Sequence, residues 1–260
     1  YALYALKAGS GGGGGGAAGG GVGTGTVSYC TDSGTRYQTY EYYNGGSDLN
    51  QNAGNNSPLQ YVCASSAYAR DATGDGIQIA VVDSGINASH SEIDSNMVTA
   101  LSGSDTINDD DNPADDHGHG THVAGIIAAE KNNSGMHGIA YDADIYAFKA
   151  LNSSGEGSDT TLGNALGLIE DIAAIDIINN SWGTNADCSS ASACRALGTT
   201  IYDNWEDLSQ LSTPKISVFA AGNNADDEPS LEWQSMKYNS DINAVSVCVV
   251  AVSFSTNGTD

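Results

Sequence analysis

From residue 77 onward the apolar residues fall into short unbroken runs separated by polar, glycine-bearing stretches. IQIAVVD (77–83), ADIYAFKAL (143–151), IDIINNSWG (175–183), ISVFAAG (216–222) and AVSVCVVAV (244–252) are the five clearest. Runs of this length, apolar without alternation, are the pattern of strands buried on both faces. Between them the apolar spacing turns helical. GTHVAGIIAAE predicts a helix that begins after His119 and runs to about Glu130, and further helices are expected over 160–174 and 192–211. Strand and helix alternate, so the predicted fold class is α/β, a doubly wound, mostly parallel sheet with helices on both faces. Ligands of such sheets lie at the carboxyl ends of the strands. Asp83, Ser181 and Asn223 fall there.

The pattern before residue 77 is different. Residues 1–26 join a short apolar stretch to a glycine- and alanine-rich run, read as a signal remnant and a tether. That apolar stretch is too short to span a bilayer. Residues 27–75 are polar and rich in Tyr, Asn and Gly. They are expected to dock as an extension on the domain formed by 76–260.

Charge narrows the partners. Eight Lys and Arg stand against 32 Asp and Glu, a formal net charge of −24. Such a surface repels phosphate backbones and anionic membranes, which argues against nucleic-acid binding. Cysteines stand at 30, 63, 188, 194 and 248. Cys188 and Cys194 can close a small loop and Cys30 and Cys63 can staple the N-terminal segment, while Cys248 sits in an apolar run as a buried thiol. The count suits an oxidising compartment, but sequence does not fix the pairing.

The densest chemistry is DDHGHGTHVAGIIAAE (115–130). A histidine where loop becomes helix is held rigidly yet stays accessible, which suits a general base. Glycines on both sides of His119 let backbone or substrate approach the ring. His117 is read as a loop residue and His122 as packing inside the helix. VVDSGI, HGTHVAGI and FAAGN occur in that order, and together they resemble the Asp, His and oxyanion-hole Asn motifs of the subtilisin-like serine proteases. TYEYYNGGSDLNQNAG and LQYVCASSAYARDATGDG resemble the lead-in of surface-exported bacterial subtilases. The resemblance covers about residues 59–260. It implies a secreted or cell-surface endopeptidase acting on polypeptides with no organic cofactor. Asp83 would orient His119, His119 would act as general base, and Asn223 would donate to the oxyanion. It also implies that Ser181, Trp182 and Gly183 form the substrate-binding edge, with Trp182 as a pocket wall, and that Ala220, Ala221 and Gly222 floor the primary pocket. A core position for Trp182 and turn-forming roles for Asp83 and Asn223 are the plain alternatives.

The family's nucleophile run, Gly-Thr-Ser-x-Ala-x-Pro, does not occur in this sequence. The serine of an Asp-His-Ser triad is therefore expected beyond residue 260. The chain alone is expected to be inactive, with a fold incomplete at its C-terminal side that a further segment or a partner would cover. A catalytically inactive binding protein on the same fold is the alternative. His117, His119 and His122 also form H-x-H-x-x-H, which resembles the zinc motif of metallo-β-lactamase-like hydrolases, although Thr121 stands where those enzymes place Asp. Finally, NDDDNPADD (108–116) gathers aspartates ahead of the helix. Asp109, Asp111 and Asp115 are candidate Ca²⁺ ligands, since oxygen-rich loops hold that ion when carboxylates converge. A solvated acidic loop is the alternative.

Overall fold

The computed structural model describes residues 59, 62, 64–98, 101–183, 188–220 and 239–249. Five parallel strands form one sheet: β1 (Gln78–Asp83), β2 (Asp144–Lys149), β3 (Ile177–Asn180), β4 (Ile216–Ala220) and β5 (Ser246–Val249), in the order β2-β1-β3-β4-β5. The helices are α1 (Ala64–Tyr68), α2 (His119–Ala128), α3 (Asp159–Glu170), α4 (Ala191–Leu197), α5 (Thr199–Gln210) and α6 (Ser240–Ala244).

The alternation of side chains along the central strand explains why both faces are covered. Ile79 and Val81 point into one core with Ile145 and Ala147 of β2, Val123, Ala124 and Ile127 of α2, and Ala64 and Tyr68 of α1. Ala80 and Val82 point into the other with Tyr146, Phe148, Ile178 and Phe219, against Leu162, Leu166 and Ile169 of α3 and Ile201, Trp205 and Leu208 of α5. The chain leaves β1 through α2 to reach β2 on one side, then returns through α3 to β3 on the other. That reversal makes the carboxyl ends of β1 and β3 the switch point, the place where sheets of this kind bind their ligands.

Several expected boundaries move, each with an identifiable contact at the new end. The helix expected over 160–174 stops at Glu170, and buried Lys215 donates to the carbonyls of Ile172 (2.7 Å) and Ile175 (3.1 Å) in the turn beyond it. The stretch 192–211 is two helices broken at Gly198, and the Asp159 carboxylate accepts from the first amides of the second, Thr200 (3.1 Å) and Ile201 (3.0 Å). The strand expected from 244 begins at Ser246. Asn239 Oδ1 caps a short helix through the amides of Asp241 (2.9 Å) and Ile242 (3.2 Å), and this local cap outweighs the apolar pattern. Cys188 and Cys194 are disulfide-bonded. Cys30, Cys63 and the side chain of Cys248 lie outside what is described.

Candidate active site

Asp83 is the last residue of β1 and has no exposed surface. Its Oδ1 accepts from the Ser84 amide at 2.7 Å and meets His119 Nδ1, also at 2.7 Å. His119 is the first residue of α2, and 41 % of its side chain is exposed. One ring edge is therefore anchored to a buried carboxylate while the ring as a whole stays reachable. The Asp83 hydrogen bond raises the imidazole above its ordinary value, with burial pulling the other way. Asp83 Oδ2 has no hydrogen-bond partner among the described residues.

The meeting of these two loops is built by residues around the pair. Gly118 caps α2 in the left-handed region at φ 100, a conformation that suits glycine. Gly120 comes so close to the β1 turn that an added Cβ would lie 2.1 Å from the Gly85 carbonyl oxygen. The Gly120 amide donates to Ser84 Oγ at 2.9 Å, and that hydroxyl donates to Asp115 Oδ1 at 2.8 Å. Asp115 accepts further from the amides of His117 (3.0 Å), Gly118 (2.8 Å) and Thr121 (3.0 Å) and from the Thr121 hydroxyl. Burial alone would raise the Asp115 carboxyl. The Thr121 hydroxyl and the three amides outweigh it and bring the pKa down to about 2. Thr121 Oγ1 in turn accepts from the Asn87 amide beyond β1 (2.9 Å).

Asp115 is thus spent on the start of α2. Asp111 Oδ1 accepts from the Gly103 amide at 2.6 Å, and Asp109 lies in a turn at φ 58. Among the described residues no group of three or more His, Cys, Asp or Glu side chains is placed to hold a metal ion. The zinc reading of H-x-H-x-x-H gains no support from the geometry, since among the described residues its three histidines form no group placed to hold a metal ion. His117 is an exposed loop residue. His122, expected as packing, is exposed: the buried stripe of α2 runs through Gly120, Val123, Ala124, Ile127 and Ala128, which turns residue 122 outward.

On the neighbouring strand, Asn180 ends β3 opposite Val82 in register and is buried with neither side-chain head paired among the described residues. Ser181 Oγ accepts from Asn179 Nδ2 at 2.9 Å, and Gly183 is exposed. Trp182, expected as a pocket wall, is 8 % exposed and stacks on Trp205 at 5.9 Å, with Trp205 edge-on to Phe219; the packing makes it a core residue. Ala220, half-buried, ends β4. Ala221, Gly222 and Asn223 lie outside the described residues.

Sequence reasoning passed over Lys149 and Asp116. The Lys149 side chain, 2 % exposed at the end of β2, donates to Asp116, to the Ser84 carbonyl at 2.8 Å and to the Leu151 carbonyl at 3.3 Å. The available signal was a basic residue inside an apolar strand, in a chain with only eight Lys and Arg. Asp115 was singled out only as a candidate Ca²⁺ ligand, and the network joining it to Ser84 and Thr121 was not read from the sequence.

Comparison with known proteins gives a consistent answer. The family model described as Peptidase_S8, subtilase family, matches residues 74–259. An extracellular serine protease of Serratia marcescens is 44 % identical over 131 residues, which are 50 % of this chain and 12 % of that protein. The minor extracellular protease Epr of Bacillus subtilis is 40 % identical over 130 residues, 50 % of this chain and 19 % of that one. A thermophilic serine proteinase of a Bacillus species is 36 % identical over 160 residues, 60 % of this chain and 36 % of the relative. The match therefore spans well under half of each relative's length. Among solved structures, Sphericase superposes with a TM-score of 0.58 at 28 % identity, covering 72 % of this chain and 57 % of that one.

Proposed function

The chain belongs to the subtilase family, and we propose that it is the Asp- and His-bearing part of a secreted serine endopeptidase. Its serine nucleophile would be supplied by sequence beyond residue 260. The observation that carries this reading is the 2.7 Å contact between a fully buried Asp83 and the accessible ring of His119. With Nδ1–H donated to Asp83, the imidazole presents Nε2 as a base. It would take the proton from a serine hydroxyl as the oxygen attacks a peptide carbonyl, then return it to the departing amine. Asp83 would stabilise the imidazolium in between. Asn223 would donate its amide to the oxyanion, and an extended polypeptide would lie along the backbone of Ser181 to Gly183. Secretion is supported by relatives named as extracellular proteases.

A pH profile tests the pair. His119 must be neutral to accept a proton, and the Asp83 hydrogen bond raises its pKa above the ordinary imidazole value. For peptide hydrolysis by the full-length protein, kcat/KM should rise with pH through a value above about 6.5. The linkage to stability has the opposite sense. Protonated His119 is the better-bonded form, so its contribution is complete below the ordinary imidazole pKa and is lost as pH rises through the folded value. A profile that rises below the ordinary imidazole value would exclude a base raised by Asp83.

A further inference from the structure

Lys149 is an unusual choice for its position. Its strand pairs with β1 so that Lys149 is opposite Asp83, and the Asp83 carbonyl accepts from the amides of Ala150 (2.8 Å) and Leu151 (3.0 Å). The Lys149 amide donates to the Ser104 carbonyl (2.8 Å), and its own carbonyl accepts from the Thr106 amide (2.9 Å), so the stem is fixed on its outer side too. The ammonium has three protons and meets three acceptors: the Ser84 carbonyl, the Leu151 carbonyl and the Asp116 carboxylate. Asp116, whose side chain is 54 % exposed, is reached from below by a cation that is itself buried.

Burying an ammonium is costly, and an apolar side chain of similar length in such a slot is often neutral or stabilising for a fold. Packing alone does not call for lysine here. What a methionine could not do is gather two loops. Ser84 directly follows Asp83, and Asp116 lies three residues before His119, beside the Asp115 that fixes the start of α2. The ammonium ties one to the other.

We propose that Lys149 is a positioning residue for the Asp83–His119 pair: by holding the Ser84 carbonyl and the Asp116 carboxylate together it sets the approach of the imidazole to the buried carboxylate. Its consequence for turnover rests on the function proposed above, whereas its consequence for the pair itself does not.

The test is an NMR titration of His119, assigned by the resonance missing from His119→Gln, in the wild type and in Lys149→Met. The groups facing the ring are Asp83, Asp115 and His117. Deleting a nearby cation acts electrostatically to raise an imidazole pKa. Loss of positioning weakens the bond to Asp83 and lowers it, so the two explanations differ in sign. The expected result is a fall of about one pKa unit, a tenfold change in proton affinity. An unchanged or raised value overturns the proposal. Should Lys149→Met fail to fold, Asp116→Ala, at an exposed position, is titrated in about 1 M salt, where the screening length is about 3 Å. A fall that persists there supports the clamp, and one that vanishes overturns it. In the active full-length protein Lys149→Met should lower kcat at least about tenfold with KM little changed, the mark of a contact realised in the transition state. A rise in KM with kcat intact would overturn the positioning role. Because the titration needs no turnover, a protein that hydrolyses nothing would contradict the proposed function and leave this proposal to stand or fall on its own.

Discussion

Gly120→Ala is expected to unseat the helix that carries His119. The new Cβ would lie 2.1 Å from the Gly85 carbonyl oxygen and 3.1 Å from Asp83 Cβ. Neither neighbour can yield. Gly85 sits at φ 97, and its own Cβ position is already 2.5 Å from the Pro113 carbonyl oxygen, while Ile86 donates to that same oxygen at 2.9 Å. Asp83 is held in β1 by pairing on both sides of the strand. Relief must come from shifting α2 away from β1, which breaks the Gly120–Ser84 bond and opens the Asp83–His119 contact. Overpacking of this kind costs about 3 kcal/mol or more. For a domain of this size that corresponds to a Tm lowered by about 6–12 °C. Gly118→Ala serves as the control: its φ of 100 strains an alanine, but nothing lies within 4 Å of the new methyl, so its cost should stay near about 1 kcal/mol. Thermal melts followed by circular dichroism decide the matter. A Gly120→Ala protein melting within a few degrees of the wild type would show that the contact does not seat the helix.

Asp83→Asn is expected to leave the fold in place and remove nearly all turnover. Oδ1 accepts from both Ser84 and His119, whereas Oδ2 is buried without a partner among the described residues. An asparagine can keep its oxygen in the shared position and put its amide where Oδ2 was, so shape and both hydrogen bonds survive. What disappears is the negative charge that stabilises the imidazolium. Loss of that carboxylate in an Asp-His-Ser arrangement lowers kcat by about 10⁴-fold. The His119 pKa should fall with it, since the Asp83 contact is the main cause of its elevation. Kinetics of the full-length protein together with His119 titration check both effects. Turnover within tenfold of the wild type would mean that Asp83 merely ends its strand.

Much of this was legible before any coordinates. Unbroken apolar runs predict central parallel strands because a strand covered on both faces has no polar side to display, and β1 and β2 follow that logic closely. VVDSGI and HGTHVAGI put Asp83 at the carboxyl end of a strand and His119 where loop becomes helix, and the fold brings them to hydrogen-bonding distance. What sequence could not supply were facts of packing across the chain. Trp182 follows a strand end, where either a pocket wall or a core position is consistent with its type; only the stack on Trp205 assigns it. His122 is one turn from His119, and its outward direction depends on which stripe of α2 meets the sheet. Lys149 and Asp116 are 33 residues apart, and no local pattern predicts that an ammonium buried at the end of β2 will hold the loop preceding α2. Helix ends shifted for a similar reason, since Lys215 and Asp159 act on helices distant in sequence.

The most direct test of the central claim is labelling of the full-length protein with a fluorophosphonate probe, which reacts with activated serine hydroxyls, followed by mapping of the modified residue. The account predicts one labelled serine, located beyond residue 260, and loss of labelling in His119→Ala. Absence of labelling in a folded protein, or labelling that persists without His119, would contradict the claim that Asp83 and His119 activate a serine nucleophile, and would leave them as fixtures of a binding scaffold.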